Sequence, residues 1–256
     1  MIVINKELCN GCGKCVSDCI SEALTLRDGK AVYDGECLHC GHCVAICPME
    51  AVAIPDYDMQ DVEENNPGII PVHDLLTVIK SRRSIRHYQD KQVEREKLEN
   101  IVQAGRYTAT GANRQVCRFI LVQDKLEELK TLVWHNLEKV VQSDVPETAP
   151  LEMLVNMRIH KGIDYLFRNA PAVLYIAAER LWDAGMAAQN MELAAVSQGL
   201  GFLYNGFLVR STELCDEAKE LLKIENKPLA ACMLLGYPDT MYKRTAPRKK
   251  ADTVWI

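Results

Sequence analysis

The sequence lacks the features that place a protein in or across a membrane. No apolar run approaches the ~20 residues that a membrane-spanning helix needs. The N-terminal residues have neither the basic start nor the long apolar stretch of a secretory signal. A glycine fingerprint for dinucleotide binding is also missing, so the sequence predicts no separate nicotinamide domain. We therefore expect a cytoplasmic protein without membrane contacts.

The composition is that of a folded protein with an excess of acidic side chains. The 256 residues are 48% hydrophobic and 25% charged, and the formal net charge is −5. These proportions suit one large domain or two smaller ones. An acidic chain with only short basic runs is poorly suited to nucleic acid, so we expect no nucleic-acid partner.

Cysteine, by contrast, is abundant and concentrated near the N-terminus. Eight of the 11 cysteines form two runs with the same C-x2-C-x2-C-x3-C spacing. In a reducing compartment, such runs indicate metal ligands rather than disulfides. Three further cysteines stand singly among apolar neighbours and are expected to be buried thiols. The first run is Cys9, Cys12, Cys15 and Cys19, the second is Cys37, Cys40, Cys43 and Cys47, and the single ones are Cys117, Cys215 and Cys232.

The two runs are typical of ferredoxin-like modules that hold two [4Fe–4S] clusters. In that pattern the first three cysteines wrap one cluster, while the fourth begins a helix and serves the other. Two structural zinc sites are the alternative. The internal repeat also predicts two copies of a loop–helix–strand unit. Crossed ligation gives one cluster Cys9, Cys12, Cys15 and Cys47, and the other Cys37, Cys40, Cys43 and Cys19.

We predict a cluster domain at 1–55, a linker at 56–71 and a larger domain at 72–256. The linker has no apolar period, contains five acids and carries a Pro67–Gly68 turn signal. The larger domain mixes helical and strand patterns, which favours an α+β fold over a doubly wound sheet. The predicted helices are 72–82, 94–106, 124–141, 151–166, 183–198 and 212–222, the last capped by Thr212, and the predicted strands are 118–123, 172–178, 202–204 and 229–235.

Three motifs of the larger domain, taken in order, resemble those of FMN-dependent nitroreductases. They are SRRSIRHY at 81–88, TATGANRQ at 108–115 with the strand after it, and LGYP at 235–238 with TAPRKK at 245–250. Together with the cluster module, the chain resembles the ferredoxin–nitroreductase fusions of anaerobes. It departs from the family at Val116-Cys117, where proline and an aromatic residue are common, and this affects the shape of the ring pocket.

The resemblance implies which residues bind FMN. Guanidinium, ammonium and hydroxyl groups suit the phosphate, although a solvated helix end and a disordered basic tail are alternatives. Asn113 and Gln115 are implied to bond the flavin or its ribityl chain, and Asn205-Gly206 to approach the ring, whereas both asparagines could also be plain turn formers. No catalytic acid or base is identified, because the flavin supplies the chemistry. The phosphate residues are Arg82, Arg83, Ser84, Arg86, Arg248 and Lys250.

The resemblance also implies a homodimer with FMN at the interface, in which helix 183–198 packs across the two-fold axis. A core helix within one subunit is the alternative. Electrons would come from the clusters, fed by an external ferredoxin or another donor, or from NAD(P)H. They would pass through FMN to a small acceptor such as a nitroaromatic, a quinone or an activated alkene. Reductive dehalogenation, a flavin-consuming reaction and a non-enzymatic electron carrier or redox sensor are the alternative functions.

Overall fold

The computed structural model describes residues 1–65, 68–142, 149–224 and 226–256. It divides into two compact units. The first comprises Met1–Ile69 and the short segment Thr110–Arg114, and the second comprises Ile70–Ala109 and Gln115–Ile256. Nothing in the sequence of Thr110–Arg114 predicts that it packs with the first unit. Pro67 of the predicted Pro67–Gly68 turn lies outside the described residues.

The first unit contains the two predicted copies of a loop–helix–strand unit. Helix α1 leads into β2, and α2 leads into β4. Strand β1 pairs antiparallel with β4, and β2 pairs antiparallel with β3. The core combines apolar residues of these strands with cysteines of both runs. The elements are β1 (Val3–Ile4), α1 (Lys14–Ser17), β2 (Leu24–Arg27), β3 (Lys30–Tyr33), α2 (His42–Ala45) and β4 (Val52–Ala53).

The two short helices do not begin at the fourth cysteine of each run, and in this respect the sequence prediction was wrong. Helix α1 follows Gly13 and α2 follows Gly41, at φ of 74° and 79°. Glycine adopts this left-handed conformation without a Cβ penalty, which lets the chain turn directly into a helix. Each helix therefore contains the third cysteine of its run and ends before the fourth.

The second unit is built on a four-stranded antiparallel sheet in the order β5–β6–β8–β7. All six residues of β6 are buried, as expected for a strand that is covered on both faces. Each predicted strand is confirmed to within one residue at either end, and the mixture of helices with an antiparallel sheet confirms the α+β class. The strands are β5 (Arg118–Val122), β6 (Ala172–Ala177), β7 (Gly201–Tyr204) and β8 (Leu229–Gly236).

Helices cover both faces of this sheet. Val173 and Tyr175 of β6 point into a core with α5, α6, α8 and α9, whereas Leu174 and Ile176 point into a second core with α4 and α7. This alternation follows from the two-residue period of a strand. The helices are α3 (Val72–Ser81), α4 (Arg95–Arg106), α5 (Leu126–Val141), α6 (Ala149–Lys161), α7 (Leu181–Ser197), α8 (Gly206–Glu213) and α9 (Asp216–Leu221).

Helix α6 is shorter than the predicted 151–166. It ends at Lys161, and Gly162 follows with a φ of 65°. The Asp164 carboxylate then accepts the N–H groups of Leu166 and Phe167 at 3.0 and 2.9 Å, which forms a side-chain-stabilised turn. Leu166 and Phe167 lie in this turn, and both side chains are fully buried. Their apolar spacing is therefore typical of a helix, although the chain here forms a turn.

The predicted helix 212–222 is two helices, and Thr212 is not a cap. Asn205 Oδ1 accepts Leu208 N–H at 3.0 Å and begins α8 earlier, which also excludes an Asn205-Gly206 hairpin turn. Thr212 lies inside α8, where its hydroxyl meets that of Tyr175 at 2.9 Å in the core. The sequence pattern does not show whether a threonine hydroxyl forms a hydrogen bond inside the core or caps the start of a helix.

Helix α3 has the predicted apolar face, yet in the single chain that face is exposed. Val72, Leu75, Leu76 and Ile79 are between 40% and 70% exposed. The C-terminal residues Val254–Ile256 are also apolar and still more exposed. Among the described residues, no helix has the length and apolar character needed to cross a bilayer.

Candidate cofactor sites

The loops that carry the cysteines are shaped by glycine. At Gly11, with a φ of 72°, an added Cβ would lie 2.0 Å from the carbonyl oxygen of Gly29. No residue with a side chain fits there without moving the backbone. Gly41 has a similar φ of 79°, but nothing lies within 4 Å of its added Cβ. Gly11 is thus required by a close approach as well as by its conformation.

Backbone N–H groups point at three of the cysteine sulfurs. Ala31 N–H donates to Cys9 Sγ at 3.5 Å, and His39 N–H donates to Cys37 Sγ at 3.2 Å. Ala51 N–H donates to Cys47 Sγ at 3.3 Å. Hydrogen bonds of this kind favour the charged thiolate, and the bond from Ala31 contributes most to lowering the pKa of Cys9. N–H donors at the sulfurs are also a means of tuning a cluster's reduction potential.

Two other buried cysteines of the runs, Cys15 and Cys43, have raised pKa values, and each lies near the thiolates of other cysteines. Burial raises the pKa of Cys15, and the neighbouring thiolates of Cys47 and Cys12 raise it further. Burial raises the pKa of Cys43 to about 11, and its thiolate neighbours are Cys37 and Cys40. The structure thus brings Cys15 near Cys47 of the second run, although 32 residues separate them in the sequence.

The donor set of the first unit suits iron–sulfur clusters. Seven of its eight cysteines are buried or half-buried, Cys12 being exposed. Six of them belong to or pack against the unit's apolar core, which limits access of water to the sulfurs. Among the described residues, no three His, Cys, Asp or Glu side chains are grouped closely enough to hold a single metal ion. The assignment of individual cysteines to clusters stays a prediction.

The segment after α3 contains the residues predicted to hold a phosphate. It is anchored on the sheet, because Ile85 N–H donates to Phe202 O of β7 at 2.9 Å. Arg83 donates to the carbonyl oxygen of Arg244 at 3.2 Å, and its guanidinium lies 5.4 Å from the centre of the Tyr242 ring. Arg86 is exposed. The structure therefore brings the first motif next to the C-terminal segment, along which Arg248 and Lys250 lie further on, both exposed.

Arg82 has a different environment from its neighbours. Its Nε donates to Glu192 Oε1 of α7 at 2.8 Å, and the Glu192 side chain is only 1% exposed against 24% for Arg82. Gln189 Nε2 approaches the other carboxylate oxygen at 3.4 Å. Burial raises the pKa of Tyr204, and the nearby Glu192 carboxylate adds to the shift. Arg82 is thus one half of a buried ion pair in addition to its predicted role at the phosphate.

Asn205 and Gly206 lie at the start of α8. The Asn205 side chain is buried and already bonded on both atoms, since Nδ2 donates to Leu166 O at 2.7 Å and Oδ1 accepts Leu208 N–H. Gly206 faces open space, with nothing within 4 Å of an added Cβ. The backbone of Gly206 is therefore accessible to a ligand, whereas the side chain of Asn205 holds the fold.

The second motif is divided between the two units. Asn113 belongs to the first unit, where its Nδ2 donates to the carbonyl oxygen of His39 at 2.8 Å. Gln115 belongs to the second unit and is exposed. Both residues have φ near 50°, in the left-handed region. The roles predicted for them at the flavin stay predictions.

Sequence reasoning did not identify Glu192 or Tyr57. Glu192 lies on the buried, alanine-rich face of α7, and a carboxylate on such a face requires a cationic partner, which could have been the signal. Tyr57 donates its hydroxyl to the His39 carbonyl oxygen at 3.0 Å. Its position in the predicted linker gave no sign of this contact.

The side chains and backbone groups of the second unit are of the chemical kinds that suit FMN. Arginines and a serine hydroxyl suit a phosphate dianion, and the open backbone at Gly206 leaves room for a flat ring.

Two curated proteins illustrate what the chain resembles. It is 30% identical over 174 residues to an FMN reductase (NADPH) from Bacillus subtilis, with 65% of this chain and 67% of the relative aligned. It is 28% identical over 184 residues to an NADPH-flavin oxidoreductase from Vibrio harveyi, with 72% and 73% aligned. Among solved structures, a nitroreductase with bound FMN from Bacteroides fragilis superposes with a TM-score of 0.59 at 24% identity, over 72% of this chain and 99% of that one.

Matches to protein families cover both units. Residues 1–65 match the 4Fe-4S dicluster domain. Residues 79–237, more than half of the chain, match the nitroreductase family. The chain therefore belongs to the nitroreductase family and has a 4Fe-4S dicluster domain fused to its N-terminal end.

Proposed function

We propose that this FMN-dependent oxidoreductase takes electrons through two [4Fe–4S] clusters, holds them on FMN and passes them to a small acceptor. The observation that carries the proposal is the presence, in one chain, of two complete cysteine runs and an arginine–serine segment suited to a phosphate. Iron–sulfur clusters exchange single electrons, whereas a flavin can hold two. Two clusters on the same chain would therefore match the full reduction of one FMN.

The cluster ligands we propose are the crossed sets of four. The closeness of Cys15 to Cys47 of the other run supports the crossing, while Cys43 lies near Cys37 and Cys40 of its own run. Cys9, Cys12, Cys15 and Cys47 would hold one cluster, and Cys37, Cys40, Cys43 and Cys19 the other.

For FMN, we propose that the phosphate is bound by the first motif and the C-terminal segment. Arg83 supports this, because it already bonds the C-terminal segment at Arg244 and its planar donors suit phosphate oxygens. Bound FMN would supply hydride and electron transfer, and the chain would orient the ring and keep water from it. Gly206 is the proposed position where backbone comes closest to the ring, and Gln115 is a proposed hydrogen-bonding partner. The proposed phosphate residues are Arg82, Arg83, Ser84, Arg86, Arg248 and Lys250.

The acceptor we propose is a nitroaromatic, a quinone or an activated alkene. Two curated relatives are named NADPH-flavin oxidoreductase and FMN reductase (NADPH). A nicotinamide is therefore a second proposed donor, which would react at the open face of FMN. We propose the cytoplasm as the compartment, because clustered thiolates need reducing conditions.

We further propose that the protein is a homodimer. The exposed apolar face of α3 supports this, since a helix gains stability mainly by burying such a face. The apolar C-terminal residues, exposed in the single chain, are a second surface that a partner subunit would cover.

The proposal is tested by anaerobic turnover of the reconstituted full chain. Reduced ferredoxin and NAD(P)H are supplied in separate reactions, and a panel of nitroaromatic, quinone and alkene acceptors is added to each. We expect multiple turnovers of at least one acceptor with reduced ferredoxin as donor. Iron-free protein that retains FMN is the control and should lose this activity. Electron exchange without turnover of any acceptor would identify a carrier instead of an enzyme.

A further inference from the structure

The carbonyl oxygen of His39 accepts two hydrogen bonds within the first unit. Asn113 Nδ2 donates at 2.8 Å, and the Tyr57 hydroxyl donates at 3.0 Å. His39 lies in the loop between Cys37 and Cys40, and its own N–H donates to Cys37 Sγ at 3.2 Å. The backbone of His39 therefore bonds a proposed cluster ligand through its N–H group and Asn113 through its carbonyl oxygen.

The conformation of His39 needs this support. Its φ of 52° is in the left-handed region, which costs a residue other than glycine free energy and persists only where neighbouring contacts fix it. The two hydrogen bonds to its carbonyl oxygen are such contacts. Asn113 also has a positive φ of 49°, and its N–H bonds Thr110 O at 3.0 Å. Asparagine adopts this conformation more readily than most residues, so the donor is held in a fixed place.

The loop of the other cysteine run is held differently. Asn10 Oδ1 accepts Cys12 N–H at 3.2 Å, and Lys30 donates to the Cys9 carbonyl oxygen. These partners come from the N-terminal 31 residues, whereas Asn113 comes from the segment between α4 and β5. Of the two loops, the Cys37–Cys40 loop is the one that bonds Asn113.

We propose that Asn113 is a positioning residue for the Cys37–Cys40 loop, and that the cluster held by this loop is the one from which electrons leave for FMN. The second half of this inference rests on the proposed function. Gln115, a proposed flavin partner, follows Asn113 by two residues, which span at most about 7 Å of chain. The path from Cys37 through His39 and Asn113 to Gln115 thus consists of two hydrogen bonds and a short stretch of backbone.

The electron balance of this route is complete. Each transfer oxidises the cluster by one electron, and an external one-electron carrier of the ferredoxin class restores it. Two transfers together with two protons from water reduce one FMN.

The test uses the full chain with clusters and FMN, and substitutes Asn113→Asp. Aspartate has the size of asparagine and tolerates the same backbone conformation, but its carboxylate cannot donate to the His39 carbonyl. Asn10→Ala is the matched control, because it removes an asparagine contact from the other loop. Asn113→Ala is the second variant if Asn113→Asp does not retain iron.

Three quantities are measured anaerobically: the midpoint potential and paramagnetic resonance signal of each cluster, the rate of flavin reduction by reduced ferredoxin, and the Kd of FMN. We expect Asn113→Asp to shift the potential and signal of the Cys37–Cys40 cluster and to slow flavin reduction about tenfold when FMN is saturating. Asn10→Ala should alter only the other cluster and leave the flavin rate unchanged.

Two outcomes would overturn the inference. A weaker Kd for FMN with both cluster signals unchanged would make Asn113 a flavin ligand only. Slower flavin reduction in Asn10→Ala, but not in Asn113→Asp, would make the other cluster the electron outlet. If the parent binds no FMN, the proposed function fails, yet a shifted cluster signal in Asn113→Asp would still establish the positioning role.

Discussion

The buried ion pair between Arg82 and Glu192 leads to a prediction about the stability of the second unit. Its atoms are 2.8 Å apart, and the carboxylate side chain is 1% exposed. Arg82→Ala would leave this carboxylate buried without its partner. Removing one member of a buried pair typically costs about 3–5 kcal/mol, so we expect the free energy of unfolding of the second unit to fall by about that amount.

The opposite substitution should cost less. Arg82 is 24% exposed, and its long side chain can turn its charge toward water once Glu192 is replaced by leucine. Replacing both together, as Arg82→Met with Glu192→Leu, leaves no buried charge and should be close to neutral. With Arg82→Met and Glu192→Leu as its single substitutions, the double-mutant cycle should therefore give a coupling energy of at least about 2 kcal/mol.

Denaturant unfolding followed by tryptophan fluorescence is a suitable assay. All three tryptophans, at positions 134, 182 and 255, belong to the second unit, and Trp134 is buried. Arg95→Ala is the control, because it removes an exposed pair with Glu99 and should cost about 0.5 kcal/mol or less. A loss below about 1 kcal/mol for Arg82→Ala, or additive single substitutions, would refute the reasoning.

Three further predictions concern the cofactors. Cys19→Ser should damage the cluster of the second cysteine run and spare the neighbouring one, as cluster-specific paramagnetic resonance would record; loss of the neighbouring cluster would contradict crossed ligation. Gly11→Ala should lower the iron content measured after purification, because its Cβ would lie 2.0 Å from a carbonyl oxygen, whereas Gly41→Ala meets no atom within 4 Å and should lower it less. Equal losses of iron in the two variants would show that the left-handed backbone conformation alone, and not the close approach to Gly29, requires glycine at Gly11. Replacing both Ser84 and Arg86 with alanine should weaken FMN binding by at least about 2 kcal/mol, as measured by equilibrium dialysis, and an unchanged flavin content would count against the phosphate site.

The strands and most helices could be predicted because their patterns are local. Strand β6 is a continuous apolar run, and α4 has the apolar spacing of a helix on a core. The cluster module could also be predicted, because the spacing of the cysteines repeats in the two runs. Predictions went wrong where a side-chain hydrogen bond, local in one case and tertiary in the other, overrode the apolar pattern. Leu166 is buried in a turn that the Asp164 carboxylate stabilises, and not in a helix. The Thr212 hydroxyl bonds the Tyr175 hydroxyl in the core and does not cap a helix.

The candidate site was predictable as a set of motifs, but the pairings within it were not. Arg82 was identified through its motif, while its partner Glu192 is 110 residues away in the sequence. Asn113 was identified as well, and its contact with His39 spans 74 residues. No periodicity or spacing connects residues so far apart, because such contacts depend on how the elements pack.

The packing of Asn113 also bears on removal of the cluster module. Deleting residues 1–64 would take away the partners of Thr110–Arg114, which belong to the first unit. Substitutions in the full chain, or removal of the iron by a chelator, are therefore cleaner tests of electron flow than truncation.

The most direct test of the central claim is a rapid-mixing measurement of flavin reduction by reduced ferredoxin, under anaerobic conditions, on the full chain with clusters and FMN. The clusters should be reduced first, and the flavin should follow at a rate that does not depend on protein concentration, because the transfer is within one protein. Iron-free protein that retains FMN should lose this phase. Flavin reduction at an equal rate in the iron-free protein would contradict the claim that the clusters supply electrons to FMN.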